Sequence, residues 1–96
     1  MIVSFGDKAS EALYHGERGK AVRKFSAALR KAALRKLDVL NGARALQDLR
    51  SPPGNRLEAL KGELAGFHSV RINDQWRVIF RWSDGDAYDV SVVDYH

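Results

Sequence analysis

The chain ends in Asp94, Tyr95 and His96, a carboxylate, a phenol and an imidazole in succession. Histidine titrates near neutrality, so His96 can give or take a proton at physiological pH. The α-carboxylate beside it favours the protonated imidazole and so suits a general acid. Asp94 stands two positions earlier. Residues two apart share a face of a strand, so its carboxylate can orient the imidazole or act as a base. The competing reading is a frayed chain end. Arg77 lies between Trp76 and Val78, so in a strand it leaves the face opposite theirs, away from the core. An arginine so placed is ordinarily a surface residue. Lys61, next to Gly62, has the setting of a solvated turn lysine. His15 and His68 read as structural or surface residues. A metal site built from His68, Asp94 and His96 has no supporting ligand spacing, and no metal or other cofactor is expected.

The elements that must position these groups fit one small domain over residues 1–96. Hydrophobic residues make up 45% of the chain, enough for a modest core. No run approaches the ~18 apolar residues of a membrane-spanning helix. The opening residues lack the pattern of a secretory signal. Without cysteine there are no disulfides, no thiolate catalysis and no cysteine-ligated metal. A cytoplasmic protein with no membrane association is the expectation. Lys and Arg number 16 against 12 Asp and Glu, a net charge of +4. Eight of the basic residues fall between Arg18 and Lys36, a stretch with no acidic residue. Such a cluster favours RNA, DNA or an acidic protein segment as partner. It is equally the solvated face of an amphipathic helix.

Met1–Phe5 is β-prone and suits an edge strand. Asp7 is set to cap a short helix through Ala9, Ala12 and Leu13, ended by Gly16. From about Lys20 to Leu40, apolar residues at helical spacing predict one long helix, stopped by Asn41-Gly42. Ala43–Leu49 suits a further helical turn, and Ser51–Asn55 is a loop. Val70–Ile72, Trp76–Trp82 and Tyr88–Val92 alternate as three strands, with turns at Asn73–Gln75 and Asp84-Gly85. The expected fold class is α+β, a small antiparallel sheet with N-terminal helices on the face carrying Trp76, Val78, Phe80 and Trp82.

Five pieces of the last 40 residues, in order and spacing, resemble HigB-type toxins of the RelE/ParE superfamily. They are Leu57–Gly62, Gly66–Ser69, Gln75–Phe80, Gly85–Tyr88 and Asp94–His96. The opening Met1-Ile2 with Ser4-Phe5 is also similar to that family, while the helical half matches only in pattern. The resemblance implies a RelE-like fold and ribosome-dependent cleavage of messenger RNA without a metal. It also implies neutralisation by a helix-turn-helix antitoxin of the HigA type, which would carry the complex to operator DNA. Lys61, Arg77, Asp94, Tyr95 and His96 are the positions it places around the scissile phosphate. Glu58 stands where some members of that family have a histidine, and Gln75 where an asparagine precedes the Trp-Arg pair.

Metal-free RNA cleavage needs deprotonation of the 2′-hydroxyl, stabilisation of the crowded phosphate and protonation of the leaving 5′-oxygen. On the implied scheme Lys61 and Arg77 supply positive charge and His96 is the acid. Asp94 orients it or serves as base, and Tyr95 stacks on a base or contacts the phosphate. Arg71 and Arg81 extend the basic surface, while Arg23, Lys24, Arg30 and Lys31 meet ribosomal RNA phosphates. These assignments require the C-terminal end to converge with Lys61 and Arg77 around one phosphate-sized gap. Two other readings remain: a ParE-like poison of DNA gyrase, and a non-catalytic RNA- or protein-binding module.

Overall fold

Alternation along Trp76–Ser83 separates the two faces of the sheet. Val78 and Phe80 are completely buried on one side, while Arg77 and Ile79 point to the other and are nearly buried there. A computed structural model describes residues 1–94; Tyr95 and His96 lie outside the described residues. The elements that position the site are α1 (Lys8–Tyr14), α2 (Ala27–Gly42), β1 (Glu58–Ala59), β2 (Phe67–Arg71), β3 (Trp76–Ser83) and β4 (Asp86–Asp94). The strands form an antiparallel sheet in the order β1-β2-β3-β4. This is the expected α+β architecture.

Local chemistry sets the boundaries. The Asp7 carboxylate accepts from the backbone N–H of Ser10 at 2.7 Å and caps α1. The second helix is shorter than its periodicity suggests. A 3-10 turn occupies Lys20–Val22 and α2 begins only at Ala27. Ser26 causes the break, because its hydroxyl accepts from the Leu29 N–H and caps a new helix. Arg30 then donates to the Phe25 carbonyl at 2.6 Å and fixes the non-helical segment before it. Between β3 and β4, Asp84 and Gly85 both take positive φ (49° and 82°), the conformation a type I′ hairpin turn demands.

The core lies between the helices and the Val78/Phe80 face. Leu29, Ala33, Leu37 and Leu40 form the buried stripe of α2, packed with Phe25, Val70, Phe80, Val90 and Val92. Removing a large side chain from such a core costs about 2–5 kcal/mol. The N-terminal segment does behave as an edge element. Ile2 and Phe5 bridge Ala87 and Val90 in parallel. The Val92 N–H donates 2.8 Å to the buried Ser10 hydroxyl and ties α1 to β4. Two-residue β1 was not anticipated from sequence. It exists through pairing, with Glu58 opposite Ser69 and Ala59 opposite His68.

Candidate active site

Arg77 is on the expected face of β3, yet it is buried there, with 8% of its surface exposed. A buried guanidinium needs charge-assisted partners, since an unpaired one is strongly destabilising. The chain supplies them from three directions. Ser69, from β2, accepts from Nη1 at 2.6 Å. The Arg56 carbonyl accepts from Nη1 at 3.3 Å. Glu58, from β1, accepts from Nη2 at 3.3 Å and pairs with its charge. Arg56 has a left-handed backbone, φ 45°, uncommon for a residue with a side chain, and turns its carbonyl toward the guanidinium. The two partners in the ion pair differ in accessibility: the Arg77 side chain is 10% exposed, that of Glu58 50%. The arginine is therefore held in place while half of the Glu58 side chain is exposed.

Register brings some expected residues to Arg77 and keeps others away. Arg71 stands directly opposite it on β2, and Val93 directly opposite on β4. β4 thus passes beside Arg77 and reaches Asp94 one residue further on. Asp94, however, pairs with Trp76, which places its side chain on the Trp76 side. There its Oδ2 accepts from Gln75 Nε2 at 2.9 Å. Leu60 bonds to Phe67, which pairs with Arg81, so Lys61 lies past the end of the sheet that carries Arg81. Four residues of β3 separate Arg81 from Arg77, roughly 13 Å at strand spacing. By strand pairing, Asp94 leaves the sheet on the side opposite Arg77, and Lys61 follows the strand end that carries Arg81. Tyr95 and His96, the rest of that expected group, lie outside the described residues.

The remaining basic residues divide between the two sides of the sheet. Arg71 and Arg81 share Arg77's side, each with an acidic partner, Asp74 and Asp89 respectively. Arg81 also lies over the Phe67 ring at 4.4 Å. Arg23, Lys24, Arg30 and Lys31 belong to α2 and the segment before it, which pack against the other face. Of these, Arg30 is half-buried and bound to backbone carbonyls, while Arg23, Lys24 and Lys31 are exposed. The helical cluster and the Arg77 group therefore cannot contact one phosphate together.

Sequence reasoning missed Glu58, Ser69 and the Arg56 carbonyl as the cage of Arg77. Glu58 drew notice only as a departure from the pattern of a resembling family. Ser69 carried no signal, because its importance comes from cross-strand register. Chemically, the cage presents a fixed planar fork suited to phosphate oxygens next to an accessible carboxylate. An anion reaching Arg77 from solvent must compete with Glu58. His68, on the other face, stacks on Phe80 with ring centroids 6.0 Å apart, in keeping with a structural role.

Known proteins agree with this architecture. Residues 3–96 match a family described as RelE-like toxin of type II toxin–antitoxin system HigB. Toxin HigB-1 of Vibrio cholerae is 46% identical over 87 residues, covering 91% of this chain and 90% of that protein. Endoribonuclease HigB of Proteus vulgaris is 39% identical over 41 residues, 43% of this chain and 45% of its own length. Among solved structures, a point mutant of YafQ from E. coli superposes with a TM-score of 0.67 at 14% identity, covering 98% of this chain and 91% of that one. The YoeB–YefM complex from Staphylococcus aureus gives 0.62 at 18% identity, covering 100% of this chain and 98% of the matched chain. The fold is thus shared with these structures, and the chain belongs to the HigB-like toxins, RelE-like members of type II toxin–antitoxin systems.

Proposed function

We propose that this chain is an endoribonuclease toxin that cuts messenger RNA on the ribosome, using its own side chains for charge and proton transfer. The observation that carries the reading is the rigidly held Arg77 beside the strand end that leads to Tyr95 and His96. Its fork binds the phosphate being cleaved, and the bond to Ser69 fixes its aim. His96 donates the proton to the leaving 5′-oxygen, Asp94 orients the terminal imidazole, and Tyr95 stacks on a neighbouring base. Arg71 and Arg81 contact the message backbone on either side, and Lys61 meets it beyond Arg81 rather than at the scissile phosphate. On the opposite face, Arg23, Lys24 and Lys31 contact ribosomal RNA, where charge without base readout suffices. The relative named Endoribonuclease HigB supports the chemistry, and membership of a toxin–antitoxin family supports an antitoxin as regulatory partner.

Expression without an antitoxin tests the reading. The wild-type chain is expected to arrest growth with in-frame cuts in translated messages, and Arg77→Ala or His96→Gln to relieve the arrest. Arrest with DNA breaks and intact messages would replace it with a gyrase poison.

A further inference from the structure

We infer that Arg81 and Tyr88 hold one unpaired nucleotide of the message next to the cut, Arg81 on its phosphate and Tyr88 against its base. The inference rests on the ribonuclease reading and adds to it a recognition site apart from the chain end. Phe67 on β2, Arg81 on β3 and Tyr88 on β4 stand directly opposite one another, so they form a row across the face that carries Arg77. Beside the row is a hollow of about 430 Å³ lined by Gly66, Arg81, Trp82, Ser83, Tyr88 and Asp89.

Arg81 is set to meet a ligand. The centre of the Phe67 ring lies 4.4 Å from its guanidinium carbon, and Asp89 Oδ2 lies 3.4 Å from Nε. Both contacts orient the planar group without using Nη1 or Nη2, which have no protein partner among the described residues. The side chain is 52% exposed. Gly66, with φ 93°, passes so close that a methyl group on it would stand 3.3 Å from Nη1, so the wall here is bare backbone. An arginine with one face covered and its two terminal nitrogens open presents a fork that matches phosphate oxygens.

A β-bulge puts Asp89 beside it. Ile79 pairs with Ser91 but Arg81 pairs with Tyr88, so Asp89 and Val90 share the space opposite Phe80. Asp89 takes a left-handed backbone, φ 52°, and its N–H donates to Ser4 Oγ at 2.9 Å. Bulges of this kind re-aim side chains and gather beside active sites. Tyr88 is half-buried, and no aromatic ring packs on it among the described residues. An open ring next to an oriented cation is the combination that takes single-stranded RNA, with the charge on the backbone and the ring under a base. Arg81 is roughly 13 Å along β3 from Arg77, so the nucleotide held there flanks the scissile one.

Ribosomes programmed with messages that carry 2′-deoxyribose at the scissile nucleotide, and so cannot be cut, test the site. Fluorescent 2-aminopurine replaces each flanking base in turn, and stacking on an aromatic ring quenches it. Wild type and Tyr88→Phe are expected to quench the probe at one common position. Tyr88→Leu should lose that quench and bind about tenfold more weakly. A message lacking the base at that position should cost wild type a similar factor and cost Tyr88→Leu nothing further. Arg81→Ala should lower the slope of log affinity against log salt by about 0.7, the value for one single-strand phosphate. Tyr88→Leu should leave that slope unchanged.

The inference is overturned if no flanking position gives a quench that depends on Tyr88, or if the losses from removing ring and base multiply. A wild type indifferent to removal of every flanking base also overturns it, with no change made to the fold. So does a Tyr88→Leu chain weakened to the same degree on ribosomes without a message, because the ring then meets ribosomal RNA. A wild type that stacks the probe yet cuts no all-ribose message overturns the ribonuclease reading and leaves the site standing.

Discussion

Arg77 and Asp94 stand one register step apart on neighbouring strands and address opposite sides of the sheet. They are adjacent in the fold but differently held. The guanidinium belongs to a caged position on one face, while the carboxylate sits at an exposed strand end with Gln75 as a partner.

Asp94→Asn is therefore expected to leave stability nearly unchanged, within about 0.5 kcal/mol, because an asparagine oxygen still accepts from Gln75 at an exposed site. Cleavage should fall about tenfold through poorer orientation of His96. Thermal unfolding alongside single-turnover cleavage checks the separation.

Ser69→Ala should behave in the opposite manner. It removes the acceptor 2.6 Å from a buried guanidinium and adds nothing in return. The expected loss is about 2 kcal/mol, the scale of a hydrogen bond to a charged group. Denaturant unfolding measures it, and cleavage should also slow as Arg77 loses its aim.

Lys31→Ala and Arg71→Ala separate the two basic surfaces. Lys31 projects from α2 on the far side of the sheet, whereas Arg71 stands opposite Arg77. Removing Lys31 should weaken ribosome binding and flatten its salt dependence without altering the cleavage rate of bound complexes. Removing Arg71 should slow cleavage of the bound message. Ribosome affinity at several salt concentrations, with single-turnover rates, gives both quantities.

Asp48 provides a pH signature unrelated to the site. The backbone N–H of Ala45, then that of Arg44, bond to its carboxylate and hold it below the ordinary aspartate value. A depressed folded-state value means that the carboxylate stabilises the fold above the unfolded-state value and loses this contribution as pH falls through the folded one. Asp48→Asn should thus be less stable than wild type near neutrality, with the difference closing in strong acid. Thermal melts from neutral pH into the acid range test this.

Strong local signals made much of the fold legible in the sequence. Asp7 marked α1, Asp84-Gly85 marked the hairpin, and alternation from Trp76 to Trp82 separated the two faces. The break before α2 was hidden because Val22 and Phe25 continue the helical period, although Ser26 was there to cap a new start. The site was legible in part. Arg77's face followed from strand alternation, but its burial depends on Arg56, Glu58 and Ser69, which reach it through pairing between distant segments. Register likewise sets where Lys61 and Asp94 stand along the sheet relative to Arg77. A one-residue step reverses a side chain, and sequence spacing alone does not set which residues stand opposite.

The most direct test is single-turnover cleavage of one message, ribosome-bound and naked, by wild type, His96→Gln and Arg77→Lys. Lysine keeps the charge at Arg77 but loses the planar fork. Wild type should cut the ribosome-bound message and leave the naked one intact, and each variant should cut about 100-fold more slowly. Undiminished cutting by both variants, or an uncut message with wild type bound to the ribosome, would contradict a ribonuclease centre built on Arg77 and the chain end.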